Sequence, residues 1–125
     1  MTALKVIDSS GWIEFFTGGP NRFHFREAIF DTENLIVPVI TIYEVYRKIS
    51  QHDSEDATNA VLAMQQGRVI ELSAELALYA AQLAAMHRLP MADSLIYATA
   101  RSANAELITQ DAHFETLPGV KFFTK

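Results

Sequence analysis

Asp8, Glu44, Asp93 and Asp111 are the residues of this sequence best suited to chemistry. Asp8 directly follows the run Lys5-Val6-Ile7, and Asp111 stands two residues past Glu106–Thr109. Glu44 lies inside Ile40-Thr41-Ile42-Tyr43-Glu44-Val45-Tyr46, and Asp93 follows Pro90 among Met91, Ala92, Leu95 and Ile96. Carboxylates in such apolar company are rarely left unpaired. If they converge they repel: two at ~5 Å oppose each other by ~3 kcal/mol at an effective dielectric near 20, and four make six such pairs. A divalent cation neutralises a cluster of that kind, and an all-oxygen site without Cys or His favours Mg²⁺ or Mn²⁺ over zinc. Each acid also has a plainer reading. Asp8, Asp93 and Asp111 fit helix N-caps. Glu44 can pair with Lys48 at i+4, which contributes only about 0.3–0.5 kcal/mol.

The elements that would position these acids follow from apolar periodicity and from the helix stops. A strand is expected at Leu4–Asp8, then a helix from Ser10, as N-cap, to Thr17. Beyond Gly18-Gly19-Pro20-Asn21, a second helix spans Arg22–Phe30, with Phe23, Ile29 and Phe30 as candidate core contacts. Leu35–Val37 is a short continuous apolar run, as in a buried parallel strand. A helix starts near Thr41, with Ile42, Val45 and Ile49 at helical spacing and Glu44 in its first turn. The next helix opens at Asp53 and is stopped by Gly67. A strand at Arg68–Leu72, helices at Ser73–His87 and Ala92–Ala103, and strands at Glu106–Thr109 and Val120–Phe123 complete the chain. Strands alternating with helices predict an α/β/α sandwich with a mainly parallel central sheet. Ligands of such sheets gather outside the carboxyl ends of the strands, where these acids would lie if the strands order suitably.

Composition narrows the alternatives. The chain has 125 residues, half of them hydrophobic and a fifth charged, as expected of one ordinary globular domain. With no cysteine, disulfides, zinc–thiolate sites, iron–sulfur clusters and thiol catalysis are excluded. No apolar run approaches the roughly 18 residues of a membrane span, and no secretory signal pattern is visible, so a cytoplasmic protein is expected. Ten Lys and Arg against fifteen Asp and Glu leave a net charge of −5, without a basic arm for nucleic acid.

With the acids placed, the whole chain resembles a PIN-domain ribonuclease, and within that superfamily the VapC-type toxin of a VapBC toxin–antitoxin pair. The resemblance is carried by Val6-Ile7-Asp8-Ser9-Ser10, Thr41-Ile42-Tyr43-Glu44-Val45, Leu89-Pro90-Met91-Ala92-Asp93-Ser94-Leu95-Ile96 and Leu107-Ile108-Thr109-Gln110-Asp111-Ala112-His113-Phe114. No one of these segments is specific; the ordered set in so short a chain is. The resemblance implies that Asp8, Glu44, Asp93 and Asp111 surround Mg²⁺ (or Mn²⁺) and that Thr109 is the hydroxyl supporting the site. It implies an endoribonuclease that hydrolyses RNA, transfer RNA or ribosomal RNA being the usual targets, leaving a 3′-hydroxyl and a 5′-phosphate and so inhibiting translation. It also implies a homodimer restrained by a VapB-like antitoxin. Relatives often carry a basic residue beside the last acid, whereas Gln110 and Ala112 flank it here.

Other residues carry two readings each. His113 fits a general base or a loop and packing residue. Arg47 and Lys48 either touch substrate phosphates or are solvated charges on a helix face. Trp12, Phe15 and Phe16 sit too close together for one narrow helix face, so that surface is either packed inside or offered to a partner. Tyr43 and Tyr46 read as core or rim. Three rival functions follow: a PIN-like module that binds RNA or protein without cutting, a housekeeping RNA-processing nuclease, and an aspartyl phosphatase or phospho-acceptor. The last lacks support, since Ser10 stands where a haloacid-dehalogenase-type Asp-x-Asp needs its second acid.

Overall fold

The computed structural model describes residues 3–125. Five strands, β1 (Lys5–Ile7), β2 (Leu35–Pro38), β3 (Arg68–Ile70), β4 (Glu106–Thr109) and β5 (Val120–Phe122), form one sheet in the order β3-β2-β1-β4-β5. Every neighbouring pair is parallel. Six α-helices connect them: α1 (Ser9–Phe16) and α2 (Arg22–Phe30) after β1, α3 (Val39–Ser50) and α4 (Ser54–Met64) after β2, and α5 (Ala74–His87) and α6 (Met91–Ser102) after β3. The α/β/α sandwich expected from the sequence is therefore present, with a wholly parallel sheet.

Register explains the two cores. Val6 pairs with Ile36 on one side and Leu107 on the other, and all three face α5 and α6. Ile7, paired with Ile108, points to the opposite face, where Trp12, Phe25, Val45 and Met64 cover it. Alternation of period two thus feeds both layers. The first two connections step outward from β1 toward β3, and the third returns across the sheet to β4. Right-handed crossovers then require α1–α4 on one face and α5–α6 on the other. The reversal leaves a crevice between the carboxyl ends of β1 and β4.

Close packing at the start of α1 sets the direction in which the chain leaves β1. A Cβ on Gly11 would lie 2.7 Å from Ile7 Cγ2 and from the fully buried Phe25 ring, so glycine lets the first turn settle against the sheet. On the other face, Ser94 through Ala100 of α6 are all buried, which makes this helix the central pillar of its layer.

Two expected core residues lie elsewhere. Phe23 and Phe30 are exposed, and Phe25, Ala28 and Ile29 make the buried stripe of α2. Arg22 and Arg26 instead cover the rings of Phe23 and Phe30, a cation–π arrangement that shields part of each. Of the aromatic trio on α1, Trp12 is fully buried and stacks on Phe16, so it is part of the core and not of a free surface. Tyr43 and Tyr46 are exposed.

Candidate active site

Asp8 leaves β1 and turns into α1. Its carboxylate accepts from the Ser10 hydroxyl at 2.9 Å and from the Ser10 and Gly11 amides at 3.3 Å. Asp8, not Ser10, is therefore the N-cap of α1. The carboxylate is almost fully buried at the bottom of the crevice. Burial pushes it up to about 7, against the bonds from Ser10, the Thr109 side chain and the backbone amides, all of which favour the ionised form. A cap alone needs no such burial.

Thr109, the last residue of β4, is fully buried, and its hydroxyl accepts from the Asp111 amide at 2.8 Å. This bends the chain after the strand. Asp111 in turn accepts from the His113 amide at 2.9 Å, capping the short 3₁₀ turn Ala112–Phe114. Gln110, between them, is buried and bridges to the α1–α2 turn: it donates to Glu14 at 3.3 Å and accepts from Asn21 at 2.9 Å. It is a neutral tie that holds the loop to α1.

Asp93 does not cap α6. The N-cap is Pro90, without a side-chain bond, and Asp93 lies in the first turn, where the helix dipole favours a negative charge. Burial raises its pKa; the hydrogen bond to His113 opposes that, while repulsion by Asp111 and by Glu44 adds to it. Asp93 thus senses both Asp111 and Glu44 electrostatically. His113 Nδ1 lies 2.8 Å from Asp93 and 3.3 Å from Asp111. Its pKa is raised, first by the bond to Asp93 and then by the charge of Asp111. Ligand atoms of Asp93, Asp111 and His113 lie within 4.8 Å of one another, close enough to share one ion.

Glu44 falls in the second turn of α3, because that helix begins at Val39. It accepts a hydrogen bond from the Ser9 hydroxyl across the crevice, and among the described residues it forms no ion pair with Lys48. The exposed Arg47 and Lys48 are likewise without an ion-pair partner.

The structure thus brings Asp93 and Asp111 together, places Glu44 within electrostatic reach of Asp93, and sets Asp8 with Thr109 at the base of the crevice. Two partners escaped the sequence reading. His113, read as either base or packing residue, joins two acids, and its Asp-x-His spacing from Asp111 was the available signal. The Ser9–Glu44 bond spans 35 residues and had none.

An α/β/α sandwich with acids at the carboxyl edge of a parallel sheet defines a class of protein, and the family follows from direct comparison. The chain belongs to the PIN domain family, whose profile it matches over residues 5–120. No curated protein sequence matches it. Among solved structures, it is similar to a chain of a toxin–antitoxin complex from Klebsiella pneumoniae, with 26% identity, a TM-score of 0.80, and 94% of this chain and 95% of that one covered. It also shares the fold of a chain of VapBC2 from Rickettsia felis bound to a promoter DNA fragment (16% identity, TM-score 0.74, 97% and 98% covered). A further match in fold is VapC20 of Mycobacterium tuberculosis, a sarcin–ricin-loop-cleaving toxin (16% identity, TM-score 0.72, 93% and 96% covered).

The raised pKa of Asp8 has a consequence for stability. Its folded value of about 7 exceeds the unfolded 3.8, so its contribution is complete below about pH 4 and is lost as the pH rises through 7. In metal-free buffer, Asp8→Asn should therefore gain on the wild type as the pH rises from about 5 to about 8. Urea midpoints at the two pH values check this; a constant difference between the proteins would contradict it.

Proposed function

We propose that this protein is a Mg²⁺-dependent endoribonuclease and the toxin of a type II toxin–antitoxin pair, acting in the cytoplasm on transfer or ribosomal RNA and so inhibiting translation. The observation that carries the reading is the meeting of like charges at the reversal of the sheet: Asp93 with Asp111, Glu44 within their field, and Asp8 buried below. Membership of the PIN family and the likeness to the Klebsiella complex support it.

The donor set suits a hard divalent ion. Four carboxylates from four segments offer oxygen ligands, and a cation would relieve both the burial of Asp8 and the repulsion that Asp93 feels from Asp111 and Glu44. A protonated His113 between Asp93 and Asp111 offsets part of the same charge. In this reading Asp8, Glu44, Asp93 and Asp111 hold Mg²⁺, with Mn²⁺ as a substitute, and Thr109 fixes Asp111 and favours ionised Asp8. When bound, the ion supplies Lewis acidity toward the scissile phosphate and offsets its developing charge. With a single ion bound, one carboxylate would stay free to orient the attacking water or take its proton, and Asp93, flanked by His113, is assigned that role. The 2′-hydroxyl of the RNA is then not the nucleophile, and the products carry a 3′-hydroxyl and a 5′-phosphate.

The partners follow from the same charge. A VapB-like antitoxin would cover the acidic crevice, with an Arg reaching its carboxylates. A homodimer would pool the few cations along two grooves. Of the surfaces available for it, Leu62 on α4 and Leu78 and Met86 on α5 are exposed, whereas Trp12 is buried. These side chains support an interface through α4 and α5.

Excess EDTA should leave the protein folded, because both cores are apolar, but abolish cleavage. Mg²⁺ at about 1,000 times its dissociation constant should add about 4 kcal/mol to stability. Asp8→Asn and Asp93→Asn should abolish cleavage at equal or greater metal-free stability, since the first removes a buried ionisable group and the second the repulsion by Asp111 and Glu44. RNA cleavage that survives both changes would leave a PIN-like binding module or a contaminant as the explanation. Sedimentation equilibrium at micromolar concentration should give about 28 kDa, twice the 14.0 kDa chain. A 14.0 kDa species with full activity would remove the dimer from the mechanism.

A further inference from the structure

The crevice does not end at the acids. A cavity of about 300 Å³ is lined by Ser9 and Glu44 of the candidate site together with Tyr43, Arg47 and Lys48. It shares Ile13 and Lys48 with a second cavity, of about 370 Å³, enclosed by α1, α3 and α4. Glu44 and Lys48 are one turn apart on α3, about 6 Å along its axis. The two cavities are therefore neighbours along α1 and α3, with Ile13 and Lys48 in the wall common to both and Arg47 lining the one beside the carboxylates.

That pocket has a distinct chemistry. Its apolar lining, Ile13, Phe16, Ile49 and Ala60, is buried or half-buried, while Lys48, His52, Asp56 and Asn59 are exposed at its mouth. An apolar floor with a few convergent polar groups is the usual form of a small-ligand site, and its volume falls in the usual range of about 300–1,000 Å³. Asp56 makes the mouth unfavourable for a phosphate but suits the N–H donors of a heterocycle; Asn59 offers both a donor and an acceptor. Phe16, which stacks on Trp12, and the exposed His52 are the aromatic rings in its lining. Beside it, Arg47 and Lys48, like the other Lys and Arg, form no ion pair among the described residues. Of the eight other Lys and Arg, four are engaged elsewhere: Arg22, Arg26 and Lys121 lie over aromatic rings and Arg101 reaches the Pro118 carbonyl.

Resting on the nuclease reading above, we infer that the pocket between α1, α3 and α4 receives one unstacked base of the RNA, while Arg47 and Lys48 hold the phosphates that link it to the scissile bond. Recognition of a splayed-out base by stacking and edge hydrogen bonds is how single-stranded RNA is selected. The arrangement places selectivity a short distance along the strand from the chemistry. A protein segment would have less need of the free cations on the approach.

The test uses the full chain carrying Asp93→Asn, in Mg²⁺, and mixed-sequence single-stranded RNAs of about 12 nucleotides, within the reach of a small single-strand-binding domain. One abasic ribose is moved along the strand, and binding is read by fluorescence anisotropy. Loss should concentrate at one or two adjacent positions and reach about tenfold or more, the scale of one base–aromatic stack. Asn59→Trp, at an exposed position of α4, should weaken binding of the intact RNA by a similar factor and flatten the scan. A flat scan with the unaltered pocket overturns the inference, and because that arm needs no pocket variant, a misfolded Asn59→Trp does not obscure it. If the scan is flat and Asn59→Trp instead weakens a co-expressed antitoxin, the pocket belongs to a protein partner and the inference is equally overturned. Cleavage by the wild type is followed in parallel: its absence removes the nuclease reading, while the scan still decides whether a base is bound.

Discussion

Mutual repulsion among carboxylates at the reversal of the sheet is the constraint on which the rest depends. Burial alone pushes Asp8 up to about 7, and an isolated Asp93 would be a favourable charge in the first turn of α6. Brought to one crevice, the acids raise the free energy of the metal-free fold, and the surrounding structure must hold them there. It does so with local devices, Ser10 and the α1 amides on Asp8 and Thr109 and the His113 amide on Asp111, and with one tertiary bond, from Ser9 to Glu44. The apolar layers on both faces supply the stability that makes this tolerable.

The caps and the cluster are not competing explanations. Asp8 and Asp111 do cap helical turns, as a purely structural reading expects. As a cap, Asp111 accepts the His113 amide through one oxygen, which leaves acceptor capacity for a cation, whereas both oxygens of Asp8 are engaged by Ser10 and the α1 amides. The same bonds that terminate β1 and β4 therefore aim the acids. Gln110 serves the same end from the other side, tying the β4 loop to Glu14 and Asn21 without adding charge.

Much of this was legible in the residues. Continuous apolar runs such as Leu35–Val37 marked buried parallel strands, and Asp53 and Ser73 behaved as N-caps. The direction of side chains on short helices was less so: Phe23 and Phe30 were expected inside, but a nine-residue helix docked through Phe25 and Ile29 turns both outward. The Glu44–Lys48 spacing predicted a local pair, and a tertiary partner, Ser9, took the carboxylate instead. His113 shows the same limit. Its role depends on where α6 ends up relative to β4, a separation of 20 residues that no local pattern encodes.

Calorimetric titration of the metal-free protein with Mn²⁺ at about pH 7, in buffers of different ionisation enthalpy, tests the central claim most directly. Asp8 titrates near this pH when buried without metal, so ion binding at the acids must displace protons. The account predicts saturable binding with net proton release, and loss of both in Asp8→Asn. Binding that releases no protons and persists unchanged in that variant would contradict it.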